Sequence, residues 1–97
     1  MDEKFILSAV GESLNKDKWI YEIIVYNEPV VLEISRKSLN LDESPELVAM
    51  ILVNAETFYY WSIAERQERQ EYRWHVSLPL IDPNSISTMF KHLGIDG

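Results

Sequence analysis

The chain reads as a small α+β domain, an antiparallel sheet packed by one long helix and one short one. Three observations predict this class. The segment WIYEIIVYNEPVVLEIS has the alternation and central break of a β-hairpin. YRWHVSLPL alternates again nearer the C-terminus. Between them, residues 46–78 contain neither Gly nor Pro, so nothing there punctuates a helix.

In chain order, Phe5–Val10 is a short apolar run ended by Gly11 and reads as an N-terminal strand. The polar GESLNKDK that follows has the composition of a loop. The hairpin spans 19–35. With Asn27 and Glu28 as the turn, Trp19, Tyr21, Ile23 and Val25 share a face with Val30, Leu32 and Ile34, and Pro29 falls harmlessly at a strand start. A turn one residue longer sets that row against Glu33 and Ser35, so the shorter register is expected. Its cost is a pair of like charges, Glu22 opposite Glu33.

Ser44, Pro45 and Glu46 resemble a helix start: a hydroxyl cap, a first-turn proline and an acid suited to the helix dipole. The expected helix runs from about 45 to 70. ERQERQ consists of strong helix formers and lacks a residue suited to the positive φ of a tight hairpin. Helical spacing gathers Leu47, Ile51, Asn54, Phe58 and Trp61 in one stripe and Leu52, Tyr59 and Ile63 in a second. Against this, TFYYWSI is rich in strand-preferring side chains. A strand over 72–78 and a helix over 83–93 close the chain. The helix has Asp82 as cap, Ile86, Met89, Phe90 and Leu93 as apolar stripe, and Gly94 as stop.

The 97 residues suit a single domain. A chain of this size buries roughly 65% of its extended surface, so most large apolar side chains must serve the core. The absence of cysteine removes disulfides, thiolate zinc sites and cysteine nucleophiles. The N-terminal residues lack the pattern of a secretory signal, and no stretch approaches ~18 apolar residues, so a soluble cytoplasmic protein without membrane contact is expected.

The net charge of −7 opposes direct binding of nucleic acid. In the aromatic segment, Arg66, Arg69 and Arg73 alternate with Glu65, Glu68 and Glu71, leaving no basic groove beside the rings. His75 and His92 have no metal-ligand spacing, and His75, Ser77 and Asp82 lack the signature of a triad. Three glycines supply no phosphate-cradling loop. No enzyme, catalytic residue, metal or cofactor is therefore expected.

The expected function is a non-catalytic acidic module that binds another protein as adaptor, inhibitor or immunity-type factor. A basic, nucleic-acid-binding protein is the partner such a charge selects. Leu52, Tyr59, Ile63 and Arg66 are the candidate docking residues, since Tyr and Arg beside apolar side chains typify interface hot spots. Glu22, Glu33, Asp42, Glu43 and Glu46 are the candidate acidic contacts. The alternative is a homodimer or larger structural assembly using the aromatic helix as self-interface; a small-ligand domain is a third class.

Overall fold

The computed structural model describes residues 3–25, 30–38, 40, 42–54, 57–63, 75–79 and 84–95, with 75–79 as backbone alone. Helix α1 (Glu3–Glu12) leads into strands β1 (Trp19–Val25), β2 (Val30–Arg36), β3 (Glu46–Asn54), β4 (Thr57–Ser62) and β5 (His75–Pro79), and helix α2 (Ser85–Leu93) follows. The strands form one antiparallel sheet in sequential order, β1-β2-β3-β4-β5, so the fold is α+β. Both helices contribute to one hydrophobic core with the same sheet face: α1 lies against β1–β3 and α2 against β4 and β5.

The hairpin has the register expected from its hydrophobic pattern. Tyr21 pairs with Ile34, Ile23 with Leu32 and Val25 with Val30. Continuing across the sheet, Leu32 meets Ile51 and Ile51 meets Tyr60, while Val53 meets Phe58. These residues carry the core together with Leu7, Val10 and Leu14 below α1 and Met89, Phe90 and Leu93 from α2. A bulge between Ile34 and Ser35 leaves Val48 an extra residue in β3, and Val48 packs on the core beside the buried Ala49.

Two elements differ from the sequence reading. Residues 5–10 belong to α1, not to a strand. Leu7, Val10, Gly11 and Leu14 are buried at helical spacing, and a six-residue apolar run cannot distinguish the two periods by itself. The stretch 46–62, expected as part of a helix from about 45 to 70, forms β3 and β4; residues 64–70 lie outside the described residues. Leu47–Val53 is continuously apolar because β3 is a central strand, and such a run satisfies a helical stripe as readily as a strand. Asn54 pairs with Thr57, so only Ala55 and Glu56 join the strands, a dipeptide without the Gly or Asn that normally marks such a link. Pro45 therefore precedes a strand, and Glu46 begins one, paired with Arg36.

The C-terminal helix matches its expected stripe. It starts at Ser85 after the N-cap Asn84 and ends at Gly94, whose left-handed backbone (φ 74°, ψ 27°) is the conformation glycine adopts freely. The expected strand over 72–78 corresponds to β5, with 72–74 outside the described residues.

The end of α1 is locked to β1. The Tyr21 hydroxyl donates to Glu12 Oε1 at 2.5 Å, and Lys16 Nζ lies 2.6 Å from Glu12 Oε2. The Lys16 hydrogen bond, followed by that from Tyr21, holds the Glu12 carboxyl below its ordinary range, and the bond to Glu12 raises the Tyr21 phenol. Beneath the ring is Gly11, where a Cβ would stand 2.6 Å from Tyr21 Cδ2.

Gly11→Ala is therefore expected to destabilise the domain by about 1–3 kcal/mol in denaturant unfolding, since the ring cannot stay where it is. Glu12 has its folded pKa depressed, so its contribution is present above about pH 4.3 and disappears as pH falls through the lower folded value. Tyr21 has its folded pKa raised, so the bond is intact below about pH 10 and is lost as pH rises through the folded value. Tyr21→Phe should flatten part of the acid limb of the stability profile, the Lys16 contact sustaining the rest; an unchanged slope would show that the Tyr21 bond contributes nothing to it.

Candidate functional site

Helices cover one sheet face, and alternate side chains of β1–β4 point to the other. On that second face the register aligns Ile24, Val31, Leu52 and Tyr59 as one row across four strands. The adjacent row is Glu22, Glu33, Met50 and Trp61. A third contains Ile20, Ser35 and Leu47. Val31 (3% exposed) and Trp61 (8%) are buried yet stand outside the hydrophobic core cluster, whereas Ile24, Met50, Leu52 and Tyr59 are half-buried and Ile20 is exposed.

Leu52 and Tyr59, expected to be neighbours on a helix stripe, are direct cross-strand partners. Their grouping survives although its helical basis does not. Ile63 is half-buried just beyond β4, and Arg66 lies outside the described residues. The structure also brings Glu22 and Glu33 together as directly opposed residues, with Glu33 next to Met50. Two side chains in that position stand ~4.5–5.5 Å apart at Cβ and repel when both are ionised.

Asp42, Glu43 and Glu46 form a different acidic group. They belong to the β2–β3 connection and the start of β3, where Glu43 Oε2 accepts from Ser38 Oγ at 3.2 Å and Asp42 N–H donates to Asn40 Oδ1 at 3.2 Å. Glu46 faces Arg36 three residues along β2 from Glu33, about 10 Å away along the strand. The Glu43 carboxylate thus has a local structural partner, and the five candidate acids are divided between two places in the fold.

Sequence spacing gave no hint of the pairing of Tyr60 with His92. The Tyr60 hydroxyl and His92 Nδ1 are 2.5 Å apart, joining β4 to α2 across 32 residues of chain. The ring centroids are 5.9 Å apart. This contact ties the C-terminal helix to the core and assigns His92 a packing role. Among the described residues no group of three or more His, Asp or Glu side chains is arranged to hold a metal ion. No described helix is long and apolar enough to cross a membrane.

No protein-family model matches the chain, and neither a curated protein nor a solved structure does.

Opposite faces of β3 should respond differently to truncation. Ile51→Ala, in the fully buried row, is expected to lose about 2–5 kcal/mol, and the neighbouring Leu52→Ala only about 1 kcal/mol. Equal losses in chemical denaturation would mean that the second face is core. Glu22→Lys, which turns a like-charge pair into an opposite-charge one, should raise stability by about 0.2–1 kcal/mol.

Proposed function

We propose that the protein is a non-catalytic, cytoplasmic module that binds another protein through the second face of its sheet. The observation that carries the reading is the juxtaposition of the apolar row Ile24–Val31–Leu52–Tyr59 with the opposed carboxylates of Glu22 and Glu33. An apolar strip bordered by paired acids suits a segment with an apolar stripe and a Lys or Arg at its edge. Burial of the half-buried Ile24, Leu52 and Tyr59 around the already buried Val31 supplies affinity, while the acids select the partner by charge. The net charge of −7 steers a basic protein towards the domain from any direction. The reading of an inhibitor or adaptor rests on this surface, whose described side chains offer apolar contact and charge.

The test is capture from native host extract by the tagged wild-type chain, Glu22→Lys and Tyr59→Ala, washed at low and high salt. The wild type is expected to retain a basic protein that leaves as salt rises. Glu22→Lys should lose it while remaining folded, and Tyr59→Ala should weaken it. Equal capture by both folded variants contradicts the reading. Recovery of the chain itself alone, indifferent to salt, replaces the partner with a second copy and makes this face a self-interface.

A further inference from the structure

Strand β1 forms one edge of the sheet, with β2 as its neighbour among the described strands. Its register with β2 runs from Trp19–Arg36 to Val25–Val30 without a bulge, and it contains no proline. Bulges, prolines and shortness are the usual devices that keep a further strand from pairing, and β1 has none of them over its seven residues. Lys37 N–H donates to Lys18 O at 2.9 Å, which fixes the alternation of the ladder. Ile20, Glu22 and Ile24 therefore turn their amides and carbonyls towards β2, and Tyr21, Ile23 and Val25 turn theirs away from it. Trp19 follows the same rule, its N–H donating outside the ladder to Asn15 O at 3.0 Å. The edge thus presents backbone donors and acceptors at alternate residues, beside the exposed Ile20 (40%) and Val25 (54%). One charge, the exposed Glu22, stands midway along it.

We infer that β1 takes up an extended segment of the protein partner as an added antiparallel strand, one that carries Lys or Arg between apolar residues at alternate positions. Such pairing presupposes the docking role proposed above for Glu22 and Ile24 and gives the docked segment its shape. A strand hydrogen-bonded to Tyr21 and Ile23 meets Glu22 in a non-hydrogen-bonded pair, where Cα atoms approach to about 4.5 Å and side chains are closest. A cation there forms the favourable cross-strand ion pair that Glu33, on the other side of Glu22, cannot provide. Apolar residues two positions to either side fall opposite Ile20 and Ile24, so the row Ile24–Val31–Leu52–Tyr59 continues onto the partner. Main-chain bonds hold a strand added in this way, and its alternate side chains select it. A second copy of the chain fits the edge less well. With the outward residues of both strands bonded to each other, the antiparallel register that overlaps all of Trp19–Val25 sets Glu22 against Glu22.

The test is a capped heptapeptide, Thr-Ile-Thr-Lys-Thr-Ile-Thr, titrated to millimolar concentration into the isotope-labelled chain and followed by amide NMR and hydrogen exchange. In antiparallel register its lysine meets Glu22, and its third and fifth amides donate to the carbonyls of Ile23 and Tyr21. Binding is expected to slow exchange at the Tyr21 and Ile23 amides, which are unbonded within the hairpin, more than at Glu22 and Ile24. N-methylation of the third and fifth residues should abolish binding, whereas N-methylation of the lysine, whose amide points away from β1, should not. Glutamate in place of the lysine should weaken binding about fivefold, and Glu22→Lys should reverse that preference. No protection at millimolar peptide, or protection that survives methylation of the third and fifth residues, overturns strand addition. Shifts at Leu52 and Tyr59 without protection of Tyr21 and Ile23 also overturn it, yet leave docking on the second face standing. Equal binding of the lysine and glutamate peptides to the wild type overturns selection by Glu22, on which the docking reading also depends, even if Glu22→Lys fails to fold. Protection of Tyr21 and Ile23 that grows with chain concentration alone would put a second copy on the edge instead.

Discussion

The pairing register of β1 with β2 governs the rest of the molecule. With Tyr21 opposite Ile34 and Ile23 opposite Leu32, the aromatic and branched side chains of the hairpin enter the helix-covered face. A slip of one residue would exchange the contents of the two faces, because side chains in a strand alternate. Ile51, Val53, Phe58 and Tyr60 continue the same row through β3 and β4, so the core is a property of the whole sheet. Two short helices then cover that face, and the tyrosines fasten them: Tyr21 to the end of α1 through Glu12, Tyr60 to α2 through His92.

The same register carries consequences that core packing alone does not favour. It sets Glu22 against Glu33 on one side of the hairpin and Lys18 against Lys37 at its open end. Each is a like-charge pair in an otherwise well-matched ladder, and both stand on the second face of the sheet. The carboxylates adjoin the apolar row of the second face. Local electrostatic conflict beside a recognisable surface is the pattern expected where a site is tuned for something other than folding. Proposing a protein-docking strip gives the pairing of Glu22 with Glu33 a physical reason.

Much of the fold was legible wherever pattern and punctuation agreed. The hairpin register followed from gathering its apolar residues on one face, and α2 followed from its stripe and from Gly94. The region 46–62 was misread for a specific reason. Its central strand is apolar at both parities, and the two residues joining β3 to β4 carry no turn chemistry, so helix propensity filled the gap. Phe5–Val10 failed for the converse reason, being too short for periodicity to separate helix from strand. Glu22 does stand opposite Glu33, and Leu52 does neighbour Tyr59, though across two strands and not on one helix. That Val31, Ile24 and Met50 share their face could not be read locally, because it depends on pairing across several strands. The contact of Tyr60 with His92 depends on α2 reaching β4 and has no local signature.

Recognition through the second sheet face, opposite to the helices, is the feature that most needs direct examination. Methyl NMR on an Ile-, Leu- and Val-labelled sample separates the faces, since Ile24, Val31 and Leu52 lie on one and Leu32, Ile34 and Ile51 on the other. Titration with the basic protein recovered by capture should broaden or shift the methyls of Ile24, Val31 and Leu52 first, leaving those of Leu32, Ile34 and Ile51 nearly unchanged. Perturbation centred on Ile6 of α1 or Ile86 of α2, with Leu52 unaffected, would place the partner on the helical side and contradict the account.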